Sequence, residues 1–133
     1  NAQGRTTTKV SIPTASVLTL NTIPIEAIPS PGIGYAIVVE KVIGYIAYVA
    51  PVYATNVNLQ LFYETAGDAI VESSLLLVKT TTAYQELPFL YAIAAGTVQI
   101  VENEAVSIRT ETGDATAGNS DIVLYITWSL IQV

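Results

Sequence analysis

Residues 29–50 read PSPGIGYAIVVEKVIGYIAYVA, and the reading of this stretch decides the fold. A Pro/Gly turn leads into a long apolar run broken by one charged dipeptide, Glu40-Lys41. Three structures compete for it: a membrane helix, a nucleotide-binding turn and a strand of a buried sheet. A spanning helix needs about 20 apolar residues. The uncharged run 42–54 is shorter, holds Gly44 and Pro51 and is rich in β-branched residues, so it is not read as a membrane span. Gly32-Ile33-Gly34 lacks the third glycine of a dinucleotide fingerprint and precedes a strand instead of opening a helix. It reads as a turn whose glycines supply positive φ. A strand remains. Over 35–49 both alternating sets are apolar apart from the charged pair, which predicts a long strand, bent near Gly44 and covered on both faces for part of its course.

The rest of the chain punctuates in the same way. Residues 9–12 predict a first strand, stopped by Pro13, with Thr14 or Ser16 capping a short helical turn through Leu20. Residues 23–28 carry Pro24, which cannot donate to a ladder, and so predict an edge or bulged strand. Residues 57–64 alternate: Val57, Leu59, Leu61 and Tyr63 face one way, Asn58, Gln60 and Glu64 the other, with Phe62 the exception. This predicts a half-buried antiparallel strand. Residues 65–68 form a turn, 69–78 fit a short helix or a strand, and 83–87, 97–101 and 105–110 are strand candidates. A polar loop over 112–119 precedes a final strand, 121–133, with Ile122, Leu124, Ile126, Trp128 and Leu130 on one face. Seven or eight strands between Pro and Gly turns, without a strong amphipathic helix, predict an all-β antiparallel sandwich or barrel. Residues 1–9, carrying Arg5 and Lys9, are expected to form an extended or flexible arm, either a frayed terminus or an arm that docks on an acidic neighbour. Residues 10–133 are expected to form one domain. The opening NAQGRTTTKV is polar and does not read as a signal peptide.

Composition narrows function by exclusion. The 133 residues are 51% hydrophobic and 12% charged, too apolar for a disordered chain. Net charge is −6, and the five cations Arg5, Lys9, Lys41, Lys79 and Arg109 form no basic stripe, which argues against nucleic acid. Cysteine and histidine are absent. Ser-His-Asp and Cys-His catalysis are therefore impossible, and the commonest general base and metal ligand is missing. No enzyme activity and no cofactor are expected.

Three other constellations hold residue types that could carry chemistry. Glu102 and Glu104 sit at the spacing of an acid pair on one strand face, about 7 Å apart, but no third acid or aromatic run accompanies them, and they read as solvated turn residues. Glu111, Asp114, Asn119 and Asp121 flank one loop with oxygens that suit calcium, at spacings unlike an EF-hand. Of the eight tyrosines, Tyr45, Tyr48 and Tyr53 form the local cluster to consider as a contact or sugar-stacking surface.

The segment SVLTLNTIPIEAIPSPGIGYAIVVEKV, residues 16–42, resembles the front of the small jelly-roll decoration, or cement, proteins of tailed-phage heads. The matching features are Leu18, Leu20, Asn21, Pro24-Ile25, Pro29, Pro31, Gly32, Gly34 and Ile37. A central strand over 58–63, a late Gly/Asn loop and a closing strand over 122–128 extend it loosely. The resemblance implies a jelly-roll type of sandwich, with at most one or two short helical turns, that oligomerises on the outer surface of a capsid and stabilises it. The implied partners are the major capsid protein and copies of the chain itself, with no nucleic acid or membrane, and the implied location is the virion. Arg5, Lys9, Tyr45, Tyr48 and Tyr53 are the candidate contacts. The alternative is a carbohydrate- or receptor-binding sandwich module of a virion tail or fibre.

Overall fold

The computed structural model describes residues 4–90 and 100–133. Among these, the elements in chain order are β1 (Thr6–Ile12), α1 (Thr14–Val17), β2 (Ile25–Ile28), β3 (Tyr35–Ala47), β4 (Leu59–Tyr63), β5 (Ala69–Ser73), β6 (Ala83–Glu86), β7 (Val106–Thr110) and β8 (Asp121–Gln132). They form two four-stranded antiparallel sheets, in the orders β1-β8-β3-β6 and β2-β7-β4-β5. Their inner faces share one apolar core, so the fold is a β-sandwich. The pairing is nested: β4 with β5, β3 with β6, β2 with β7 and β1 with β8, successive pairs alternating between the sheets.

Strand β3 explains why both of its alternating sets are apolar. Its ladder with β8 runs from Tyr35 opposite Gln132 to Ala47 opposite Asp121, with one register shift, between Val39 and Lys41. Before the shift the odd residues Ile37 and Val39 enter the core; after it the even residues Val42 and Ile46 do. A β-bulge inserts one residue and reverses the inward phase. On a regular strand Glu40 and Lys41 would point to opposite faces, and one charge would be buried at high cost. The irregularity therefore lies at Glu40 and not near Gly44. Gly44 has another task. A Cβ there would stand 2.6 Å from Leu76 Cδ2 and 2.9 Å from Leu87 Cδ1, both residues buried.

The strand expected to be half-buried is buried throughout. All five residues of β4 lie inside, because it is flanked by β7 and β5 and its outer side is roofed. Leu59, Leu61 and Tyr63 face the core as expected. On the outer side the Arg109 guanidinium lies 4.0 Å over the Phe62 ring, and its Nε donates to Gln60 Oε1 at 2.9 Å. Gln60 Nε2 in turn donates to Glu72 Oε1 at 2.7 Å. Sequence alternation registers polarity, not the roof that neighbouring strands supply.

The remaining elements follow their expectations with local changes. β2 is an edge strand with a register shift between Glu26 and Ile28, as Pro24 predicts. Residues 69–78 resolve into β5 and a following turn that buries Leu76 and Leu77. β8 buries Ile122, Leu124 and Ile126 completely, each worth about 1.5–3 kcal/mol of transfer free energy. The helical turn is shorter than expected and neither Thr14 nor Ser16 caps it. Pro13 occupies the cap position, and Thr14 instead donates through its amide and hydroxyl to Asp121 Oδ1, at 2.9 and 3.1 Å. The candidate strand over 97–101 lies mostly outside the described residues. The first strand begins at Thr6, not Lys9, so residues 6–9 belong to the sheet, paired with Tyr125 to Trp128.

Gly44→Val is expected to lower unfolding free energy by about 1–3 kcal/mol, the cost of overpacking a filled core. Urea denaturation followed by Trp128 fluorescence measures it; an unchanged midpoint would show that Leu76 and Leu87 yield freely.

Candidate functional site

The two outer faces of the sandwich differ. That of the β2-β7-β4-β5 sheet satisfies itself. Arg109 also donates to the Gly67 carbonyl at 3.0 Å, and the Ser107 hydroxyl donates to Glu64 Oε1 at 2.8 Å. Beside this network Pro24, Glu26, Phe62, Glu64 and Ser107 line a shallow depression of about 420 Å³. Of its polar groups, Ser107 and Glu64 already hold each other, and Glu26 stands at the rim.

The outer face of the β1-β8-β3-β6 sheet is different in kind. Beyond the bulge the outward residues of β3 are Lys41, Ile43, Tyr45 and Ala47. They meet the outward residues of β8 and β6 in rows across the sheet. One row is Lys9, Tyr125, Ile43 and Glu86; the next is Ser11, Val123, Tyr45 and Tyr84; a third is Thr7, Thr127 and Lys41. Ile43, Tyr45, Tyr84, Val123 and Tyr125 thus lie side by side as an apolar patch with charge at its margins, Tyr84 exposed and the other four partly buried. Tyr84 is 68% exposed, and its ring centroid lies 4.7 Å from that of Tyr45, the planes tilted by 44°. No other described strand or helix packs across this face. Cover on both faces, expected for part of this strand, is seen at Ala36 and Ile37, which are both buried, and not over 41–47 among the described residues.

The candidate contact residues divide accordingly. Tyr45 belongs to the patch and Lys9 to its margin. Tyr48 is partly buried at the end of β3, where its amide donates to the Thr82 hydroxyl at 3.0 Å. Tyr53 is a core residue, 2% exposed, whose hydroxyl donates to the Ser120 carbonyl; burial raises its pKa above the usual phenol value. It is withdrawn from any surface. Arg5 is engaged within its own chain, pairing through Nε with Glu40 Oε1, while the Ser129 hydroxyl donates to Glu40 Oε2 at 2.6 Å. The Ser129 hydrogen bond first, and Arg5 after it, hold the Glu40 carboxyl below its ordinary range. Sequence reading missed Ile43, Tyr84, Val123 and Tyr125 as one surface, because three strands far apart in the chain compose it.

Compared with protein-family models, curated proteins and solved structures, the chain matches none. The site is therefore read from its own residues.

The acidic constellations are structural. Glu102 Oε2 accepts the Gly34 amide at 2.7 Å, and Glu104 Oε1 accepts those of Thr65 and Ala66 at 2.7 and 2.9 Å. Glu102 thus fixes the glycine turn that precedes β3, helped by Asn103 Oδ1 on the Gly32 amide at 2.9 Å. Both glycine amides of that turn are already taken by side chains. The loop acids do not converge either. Glu111 accepts from Asn58, Asp121 from Thr14, and Asp114 from the amides of Asn21 and Thr22 and the Thr22 hydroxyl. Among the described residues no group of three acidic ligands is placed to hold a metal ion.

Asp114 is the clamp between residues 21–22 and the late loop. Hydrogen bonds from Thr22, then from Asn21, hold its carboxyl below its ordinary pKa of 3.8. Its contribution to stability is therefore complete above that value and fades as the pH falls through the lower folded-state value. Asp114→Asn is expected to melt at a lower temperature than the parent chain at neutral pH, with the gap narrowing in acid below pH 3.8. Calorimetry of both chains across that range checks it; a gap independent of pH would remove the charge from the account.

Proposed function

We propose that the chain is a virion structural protein, a capsid decoration or cement protein that oligomerises and binds the outer surface of a phage head to stabilise it. The observation that carries this reading is the apolar patch on the outer face of the first sheet, where partly buried Ile43, Tyr45, Val123 and Tyr125 adjoin exposed Tyr84. A contiguous exposed apolar surface rimmed by polar groups marks a site of protein contact. The resemblance of residues 16–42 to phage decoration proteins gives that contact its setting. Nested strand pairing that alternates between sheets supports the jelly-roll type within the sandwich class. Major capsid protein and further copies of the chain are the partners this reading requires.

A second reading rests on a specific feature. The exposed Tyr84 ring against Tyr45 offers an aromatic surface to a sugar ring, as in a carbohydrate- or receptor-binding module of a tail or fibre. The tilt between the two rings gives no continuous platform, which favours the first reading.

The test is sedimentation with empty phage heads stripped of accessory proteins, together with tyrosine and Trp128 fluorescence titrated with an oligosaccharide panel. Saturable co-sedimentation without a glycan response is expected. A glycan-dependent change in emission from a chain that stays in the supernatant would replace the decoration reading with the second one. Density for this chain on the outer surface of an intact particle would be the direct observation.

A further inference from the structure

We propose that the outer face of the β1-β8-β3-β6 sheet is covered by the same face of a second copy, the two related by a twofold axis that runs between the sheets parallel to their strands. The inference deepens the preceding reading and rests on it for oligomerisation; it adds which face pairs and in what geometry.

The argument starts from the row Lys9, Tyr125, Ile43, Glu86. It places a cation on one edge strand, a carboxylate on the opposite edge strand and two apolar side chains between them. Among the described residues neither Lys9 nor Glu86 enters an ion pair. A twofold axis parallel to the strands exchanges the two edges of the sheet. Lys9 of each copy then lies over Glu86 of the other, and Tyr125 lies over Ile43. A patch that is self-complementary under a twofold operation is what an isologous interface requires.

The neighbouring rows agree with this operation. In the row Ser11, Val123, Tyr45, Tyr84 it sets Tyr84 over Ser11 and Tyr45 over Val123, large side chains opposite small ones. In the row Thr7, Thr127, Lys41 it sets Lys41 over Thr127, a polar margin at one end of the patch. Strand spacing and rise give each copy about 600 Å² of sheet face, or ~1,200 Å² in the pair, at the lower bound of stable interfaces. The pair is therefore a dissociable dimer whose strength depends on salt through Lys9 and Glu86.

Sedimentation velocity of the full chain over a concentration series tests the proposal, with Trp128 fluorescence to verify the fold of each variant. The parent chain is expected to dimerise and Ile43→Arg to be monomeric. Lys9→Glu and Glu86→Lys are each expected to weaken association about tenfold, since each dimer contains two such pairs. The double exchange, K9E with E86K, is expected to restore it. A parent chain that stays monomeric overturns the pairing, as does an oligomer indifferent to Ile43→Arg or a double exchange no better than its singles. A monomer that still co-sediments with heads would sink this pairing while leaving the decoration reading intact. A dimer that passes the exchange test but ignores heads would do the reverse.

Discussion

The sandwich depends on one long ladder. β8 pairs with β3 over nearly its whole length and with β1 along its other edge, so the last strand of the chain is the centre of the first sheet. That ladder tolerates a single irregularity, at Glu40, and the irregularity has a global effect. It moves the inward phase of β3 from Ile37 and Val39 to Val42 and Ile46. Without it, either half of the strand would turn its apolar set outward, because side chains alternate with period two. The same shift lets Glu40 meet Ser129 and Arg5 at the surface while Lys41 also points outward. One extra residue thus reconciles a charged dipeptide with a strand whose inner side is packed against a core.

The fold class was legible because alternation and punctuation are local properties. β8 states its inward face in Ile122, Leu124 and Ile126, and Pro24 announces the edge position of β2. What escaped reading was whatever depends on partners distant in the chain. The burial of Gln60 and Phe62 comes from Arg109, many residues away, and no alternation pattern contains it. The start of β1 at Thr6 was hidden for the same reason: a polar TTTK segment becomes a strand because β8 offers it an edge. A bend was expected near Gly44 because glycine usually marks a break, whereas its missing side chain makes room for Leu76 and Leu87 and the register shift lies at Glu40. The candidate surface was half legible. Tyr45 and Lys9 were found from sequence; Tyr84 and Tyr125 join them only once β6 and β8 flank β3.

The acidic residues show how the chain uses its negative charge. Several carboxylates serve as acceptors for backbone amides: Glu102 for Gly34, Glu104 for Thr65 and Ala66, Asp114 for Asn21 and Thr22, Asp121 for Thr14. Each ties a loop to a segment far away in sequence. A charge-assisted bond to a backbone amide is stronger than a neutral one, and it fixes a loop that would otherwise keep its conformational freedom. Glu102, Glu104, Asp114 and Asp121 are thereby committed to holding turns in place.

This division of labour bears on what the molecule is built for. Loops that carry chemistry are held open to a substrate by a rigid scaffold, with polar groups converging on a common point. Here the polar groups diverge, each satisfying a different turn, and the resulting stiffness is delivered to the sheets. A stiff sheet presents its outward residues at fixed spacing, so little side-chain or backbone freedom is lost when another surface lies against it. The second sheet closes its outer side with Arg109, Gln60 and Glu72, whereas the first leaves Ile43, Tyr45 and Tyr84 facing outward at that fixed spacing. The asymmetry between the two faces, more than any single residue, is what the proposed contact role rests on.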